Sequence, residues 1–196
     1  LTCLIILEIF LCFLIFFLKK DFPWLITKKD LSIEIDSEVA EKFFHNSFHP
    51  KLGWLRKKNS SFADLTEHGK VYYSISDDGT RENFSYDPNN APITSYGDSF
   101  CFGRLVGNKN TWQYHLSNKL QKNVSNRGVG NYGLDQALMR FELEVETLSC
   151  QHLIINVVPE TIARVLSTWK HYFEYGNTLA FKPKFKFSNG KLEYIN

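Results

Sequence analysis

Short strand-like segments, each followed by a turn and a helix-like segment, constrain the fold of this chain more than any other feature of its sequence. Ile93 to Tyr96 is a β-prone run that ends at a glycine, and residues 123–133 (NVSNRGVGNYG) predict a short strand that runs into a Gly-rich turn. Residues 152–158 (HLIINVV) form a continuous apolar run, which is typical of a buried parallel strand. Three such segments separated by helices indicate a parallel sheet.

The segments between the predicted strands have helical character. Asn110 or Thr111 is suited to cap one helix, and Pro159 is suited to begin another. Six apolar residues occupy one predicted helical stripe: Leu134, Ala137, Leu138, Phe141, Val145 and Leu148. The expected fold is an α/β domain, a three-layer α/β/α sandwich with a parallel sheet. An antiparallel hairpin is predicted near the end of the chain, because Asn189-Gly190 is a strong hairpin-turn signal.

The N-terminal segment differs sharply from the rest of the chain. Residues 1–18 (LTCLIILEIFLCFLIFFL) are almost wholly apolar. A run of this length predicts a transmembrane helix or uncleaved signal anchor over residues 1–20, and thus a membrane-anchored protein. We expect the domain that follows to lie on the extracytoplasmic side. A leader segment with irregular and β structure is expected over residues 21–90. The α/β domain is expected over residues 91–196 and to be incomplete at its C-terminus.

Composition excludes several classes of function. The chain is 43% hydrophobic and 15% aromatic, which indicates a folded protein and not a disordered one. The net charge is +2 and no basic stripe is present, so nucleic acid is not an expected partner. The four cysteines and six histidines lack the spacing of a metal site. We therefore expect neither a metal nor a cofactor.

A serine follows the first predicted strand, in the sequence Gly97-Asp98-Ser99. These residues are ordinary turn formers, but they would also suit a nucleophile held at the end of a strand. Ligands of open parallel sheets bind beyond the carboxyl ends of the strands, where the Gly-rich turn 128–133 also falls. A nucleophilic serine needs a base and backbone donors for the oxyanion, and a Gly-rich turn can supply such donors. The α/β-hydrolase elbow G-x-S-x-G is not met, because Cys101 stands where that motif needs glycine.

Two blocks in this order resemble the SGNH or GDSL family of serine esterases and acyl hydrolases. YGDSFCFG (96–103) resembles the first block of that family, and VSNRGVGNYGLDQALMRFE (124–142) resembles the second. The resemblance covers roughly residues 50–196. It implies that Ser99 is the nucleophile, that the N–H groups of Ser99, Gly130 and Asn131 form the oxyanion hole, and that Gly97 and Asp98 support the motif.

Two later blocks of the family depart from its pattern. The third block is usually Gly-x-Asn-Asp, but residues 155–161 read INVVPET, so that Asn156 is the nearest amide. The fourth block, Asp-x-x-His, is absent from the chain. We therefore assign the general base to no histidine here, and expect the base and its carboxylate to lie beyond Asn196.

The expected activity is hydrolysis of ester bonds through an acyl-enzyme on Ser99, as in a GDSL-type carboxylic ester hydrolase. Two alternatives remain open. The same serine would serve a polysaccharide O-acyltransferase or deacetylase, and a chain without a base would be a catalytically silent envelope-assembly module. The expected partners are an ester substrate, such as an acylated polysaccharide or lipid, and the membrane through residues 1–18.

Overall fold

The computed structural model describes residues 2–22, 34–83, 86–87, 90–170 and 178–195. The chain divides into two compact units, Leu1–Asp36 and Ser37–Asn196. The predicted boundaries at residues 20 and 90 remain predictions.

The described part of the first unit contains helix α1 (Thr2–Leu18), of seventeen residues, none of them buried. Among the described residues, no helix is both long and apolar enough to cross a membrane. The predicted transmembrane helix over residues 1–20 is therefore wrong, and so is the predicted membrane-anchored location.

The second unit begins with a helix and two antiparallel strand pairs. Helix α2 (Ser37–Asn46) leads into the short pair β1 (Phe48–His49) and β2 (Gly53–Trp54). A longer hairpin follows, formed by β3 (Ser60–Thr66) and β4 (Gly69–Ile75). These elements lie upstream of the segment in which the sequence predicts the α/β domain.

A three-stranded parallel sheet organises the second unit. Strand β5 (Ile93–Tyr96) lies in the centre, with β6 (Val124–Asn126) on one side and β7 (His152–Ile155) on the other. The fold is therefore mixed α/β with a three-stranded parallel sheet. The predicted fold class is wrong in including an N-terminal transmembrane helix. Strand β7 is also less enclosed than the apolar run 152–158 predicts, because it is an edge strand of this sheet and its side chains are half-buried or exposed.

Helices lie between the parallel strands and after the last of them. They are α3 (Ser99–Phe102), α4 (Trp112–Leu120), α5 (Leu134–Glu144) and α6 (Pro159–Ala163). Single 3-10 turns cover residues 108–110, 145–147 and 164–166. The Thr111 side chain caps α4 by accepting a hydrogen bond from the N–H of Tyr114 at 3.2 Å, as the sequence predicts for one of its two candidates.

The main apolar core joins the β1–β2 pair to the turn after β6. Its buried members are Leu52, Trp54, Val129, Tyr132 and Met139. The indole of Trp54 donates to the carbonyl of Gly130 at 3.0 Å, and the Tyr132 hydroxyl donates to the carbonyl of Trp54 at 2.6 Å. These contacts fix the position of the Gly-rich turn 128–133. We call it the second Gly-rich turn, and Gly97-Asp98-Ser99 the first.

The predicted hairpin near the end of the chain is confirmed. Strands β8 (Lys184–Ser188) and β9 (Lys191–Ile195) pair antiparallel. Asn189 and Gly190 both have positive φ, 51° and 76°, which the two-residue turn of a twisted hairpin requires.

Candidate active site

Ser99 lies at the carboxyl edge of the parallel sheet, three residues after the end of β5. It is half-buried and is the first residue of α3. Gly97 permits the close packing of this turn, because a Cβ there would lie 2.8 Å from both the Asn156 Cβ and the Cys101 Cβ. In the described part of the chain, no hydrogen bond involves the Ser99 hydroxyl. The structure thus leaves this hydroxyl at the sheet edge without a partner from those residues.

Asp98 organises the turn that carries Ser99. Its carboxylate is fully buried and accepts a hydrogen bond from the N–H of Phe100 at 2.9 Å, which caps α3. Its other oxygen lies 3.2 Å from the guanidinium of Arg164, which also donates to the carbonyl of Tyr132. Because these contacts occupy both oxygens, the geometry gives Asp98 a structural role in the turn.

The second Gly-rich turn packs directly on the first. The N–H of Val129 donates to the carbonyl of Gly97 at 2.9 Å, and the side-chain amide of Asn126 donates to the carbonyl of Phe102 at 3.0 Å. A Cβ on Gly128 would lie 2.8 Å from the Phe102 Cα, so only glycine allows the two backbones to approach this closely. The residues of both turns are therefore held at one edge of the sheet.

Gly130 and Asn131 lie just beyond this contact. Asn131 has a left-handed backbone with φ of 71°, which asparagine tolerates better than most residues. Both residues line a pocket of about 420 Å³, whose described lining does not include Ser99. The N–H that bonds the first turn belongs to Val129, so the roles predicted for the N–H groups of Gly130 and Asn131 remain predictions.

Asn156 brings a side-chain amide to the same place. Its N–H donates to the carbonyl of Tyr96 at 2.9 Å, which extends the pairing of β5 with β7 by one residue. Its Cβ is next to Gly97, and its side-chain oxygen is buried without a hydrogen-bond partner among the described residues. A buried amide with an unused polar atom is uncommon in a folded protein, and here it lies beside the serine turn.

None of the described histidines forms a hydrogen bond with Ser99. His152 begins β7 opposite Ile93, at the end of the sheet remote from the serine. His49 accepts two backbone hydrogen bonds in the β1–β2 turn. The other described histidines are His45, His68 and His115, and His171 lies outside the described residues. The prediction that the base lies beyond Asn196 stays a prediction.

Cys101, two residues after Ser99, is the rival nucleophile by position. It is fully buried, and this burial raises the pKa of its thiol to about 12. Because the thiolate is the nucleophilic form, Cys101 is inert at neutral pH.

Arg81 is a residue at this site that the sequence did not reveal. It is buried, and its guanidinium donates to the carbonyls of Phe102 at 2.8 Å and Gly103 at 2.6 Å and to that of Val106. Burial lowers the pKa of Arg81 to about 10, so it remains charged at neutral pH. It holds the end of α3 in place. A lone arginine in a turn-rich segment gives no signal of this role.

No protein-family model matches the chain, and no curated protein matches its sequence. The resemblance to the SGNH family therefore depends on the two motif blocks. Within the described ranges, no group of three or more His, Cys, Asp and Glu side chains is placed to hold a metal ion.

Proposed function

We propose that this protein is a serine hydrolase of ester bonds that forms an acyl-enzyme on Ser99. The observation that carries the proposal is the hydrogen bond from the Val129 N–H to the Gly97 carbonyl. This bond brings a Gly-rich turn rich in backbone donors next to a half-buried serine at a strand end. Acyl transfer requires such a nucleophile and such donors, together with a base.

The reaction proceeds in two steps. The Ser99 Oγ bonds to the ester carbonyl carbon and its proton passes to a base, which then protonates the departing alcohol. Water adds to the acyl-enzyme in the second step and releases the carboxylic acid and the free serine. No described histidine forms a hydrogen bond with Ser99, so the base in this proposal is a residue outside the described ranges.

Backbone N–H groups stabilise the oxyanion in both steps. The N–H of Ser99 is at the first position of α3, where a helix supplies no partner for it. The N–H groups of Gly130 and Asn131 follow the docked Val129 and complete the proposed oxyanion hole. Removing one such donor typically lowers kcat by about 10²- to 10³-fold.

A catalytically silent binding module is the competing function. It is favoured by one observation, the lack of any histidine beside Ser99 in the described residues. A silent module needs no base, and its serine would be an ordinary turn residue.

Hydrolysis of 4-nitrophenyl acetate by the full-length protein tests the proposal. We expect turnover that Ser99→Ala abolishes and that Ser149→Ala retains, because Ser149 is an exposed serine distant in sequence from both turns. Turnover that survives in Ser99→Ala, or no turnover in the wild-type protein, would overturn the proposal, and the second result would favour the silent module.

A further inference from the structure

The pocket beside Gly130 and Asn131 has a chemical character that the hydrolase proposal does not use. It has a volume of about 420 Å³. Two arginines, Arg56 and Arg104, line it together with one acid, Asp64. The pocket therefore carries an excess of positive charge, supplied by guanidinium groups that favour oxyanions.

Arg56 is the more enclosed of the two arginines. Its guanidinium lies over three aromatic rings, 4.5 Å from the ring centroid of Phe102, 4.9 Å from that of Tyr73 and 5.6 Å from that of Phe62. Its Nε is buried and makes no hydrogen bond within the described residues. Burial lowers the pKa of Arg56 below its ordinary value. A desolvated cation with an unused donor binds an anion more strongly than a solvated one.

No ion pair within the described residues includes either arginine, and the nearby charge of Asp64 raises the pKa of Arg56, which partly offsets the effect of burial. The ion pairs found there join other residues. Asp64, the acid in the pocket lining, accepts a hydrogen bond from the N–H of Leu105 at 3.4 Å. Two guanidinium groups and one carboxylate therefore line the pocket, which leaves a net positive charge there.

Two backbone connections place this pocket next to the candidate nucleophile. The N–H of Arg104 donates to the carbonyl of Ser99 at 3.0 Å. On the other side, Gly130 and Asn131 follow directly after Val129, which is bonded to Gly97. These connections make the pocket and the serine turn neighbours in the fold, which is the arrangement that a substrate occupying both would need.

We propose that Arg56 and Arg104 form a subsite for an oxyanion carried by the ester substrate: a carboxylate, a sulfate or a phosphate. This inference rests on the proposed ester hydrolysis and specifies its substrate class as anionic esters. The two guanidiniums bind the anion, and the aromatic rings beneath Arg56 hold its side chain in place.

A matched set of esters tests the subsite. The probes are 4-acetoxybenzoate, 4-acetoxybenzenesulfonate and the neutral methyl 4-acetoxybenzoate. We expect kcat/KM for at least one anionic ester to exceed that for the neutral ester by about tenfold, the size of one charge-assisted contact. The two anionic probes distinguish a carboxylate from a sulfur oxyanion. Arg104 is exposed, and in Arg104→Gln the ratio of kcat/KM for the anionic ester to kcat/KM for the neutral ester should fall towards one. Lys109 is an exposed lysine outside the pocket, and Lys109→Gln should keep the wild-type ratio.

A binding measurement separates this inference from the proposed function. The probe is 4-acetamidobenzoate, which carries an amide in place of the ester, and calorimetry measures its affinity for the wild type, Arg104→Gln and Arg56→Gln. Weaker binding in both variants, with no hydrolysis of any ester, would support the anion subsite and overturn the hydrolase. Equal kcat/KM for charged and neutral esters, with equal affinity across the variants, would overturn the subsite and leave the hydrolase standing.

Discussion

The buried carboxylate of Asp98 lies 3.2 Å from the guanidinium of Arg164, and this ion pair ties the serine turn to the segment after the third parallel strand. Asp98 is fully buried and Arg164 nearly so. The turn that carries Ser99 is therefore held at Asp98 by this ion pair and at Gly97 by the hydrogen bond from the Val129 N–H.

Removing Arg164 should destabilise the protein strongly. Arg164→Met leaves the Asp98 carboxylate buried without its cation, and we expect the free energy of unfolding in urea to fall by about 3 kcal/mol or more. Adding Asp98→Asn should recover part of this loss, since an amide still accepts the Phe100 N–H and carries no charge. If the free energy of unfolding of the double variant fell by the sum of the decreases in the two single variants, Asp98 and Arg164 would not interact.

Replacement by alanine should lower the melting temperature at one glycine of the second Gly-rich turn and leave it unchanged at another. A Cβ on Gly128 would lie 2.8 Å from the backbone of Phe102, whereas a Cβ on Gly130 meets nothing within 4 Å. We expect Gly128→Ala to separate the two turns, with a lower melting temperature and loss of hydrolysis. Gly130→Ala should retain the melting temperature, because the backbone has room there. Similar melting temperatures for the two variants would contradict the contact between the turns.

Cys101 should resist alkylation in the folded protein. Its buried thiol has a pKa of about 12, so almost none is ionised at pH 8. Iodoacetamide at pH 8 should label the exposed Cys3 and Cys12 and leave Cys101 unmodified until urea is added, as peptide mass spectrometry would detect. Rapid labelling of Cys101 in the native protein would contradict its burial.

His49 should make stability depend on pH near neutrality. Burial, and then the nearby charge of Arg140, lowers the pKa of His49 below its ordinary value of 6.5. The unfolded chain therefore binds more protons than the folded one as pH falls below 6.5, and stability drops there, whereas the contribution is fully present at higher pH.

The variant His49→Asn tests this dependence. Asparagine can still accept the N–H groups of Lys51 and Leu52, as His49 Nδ1 does, but it does not titrate near neutrality. We expect a smaller change in the urea midpoint between pH 5 and pH 7 in the variant than in the wild type. An unchanged pH dependence would show that other groups cause it.

The sequence anticipates those parts of the fold that depend on local signals. Strand β5, the Thr111 cap and the Asn189-Gly190 hairpin follow from propensity and turn chemistry. The rule that parallel strands end at one edge anticipates the contact of the Gly97 turn with Val129. The catalytic roles assigned to Ser99, Gly130 and Asn131 are not settled by that contact and stay proposals.

Helix α5 shows where sequence patterning fails. The predicted apolar stripe includes Leu138 and Val145, which are 36% and 38% exposed, whereas Gln136 and Arg140 are buried. Arg140 is buried because its guanidinium bonds the carbonyls of Gly79 and Arg127 and the carboxylate of Glu144. Hydrophobic periodicity cannot detect a helix face that is buried through polar contacts with distant backbone.

The N-terminal helix shows a second limit. The apolar run 1–18 meets the usual criterion for a membrane span only at its lower margin, and the helix that forms ends at Leu18 after seventeen residues. The apolar character of a run is therefore not enough to establish a membrane span.

Covalent labelling of Ser99 is the most direct test of the central claim. The full-length protein is treated with a fluorophosphonate and its peptides are mapped by mass spectrometry. We predict one adduct, on Ser99, that is absent from Ser99→Ala and present in Ser149→Ala. An adduct on another residue, or none on the folded wild-type protein, would contradict the assignment of Ser99 as the nucleophile.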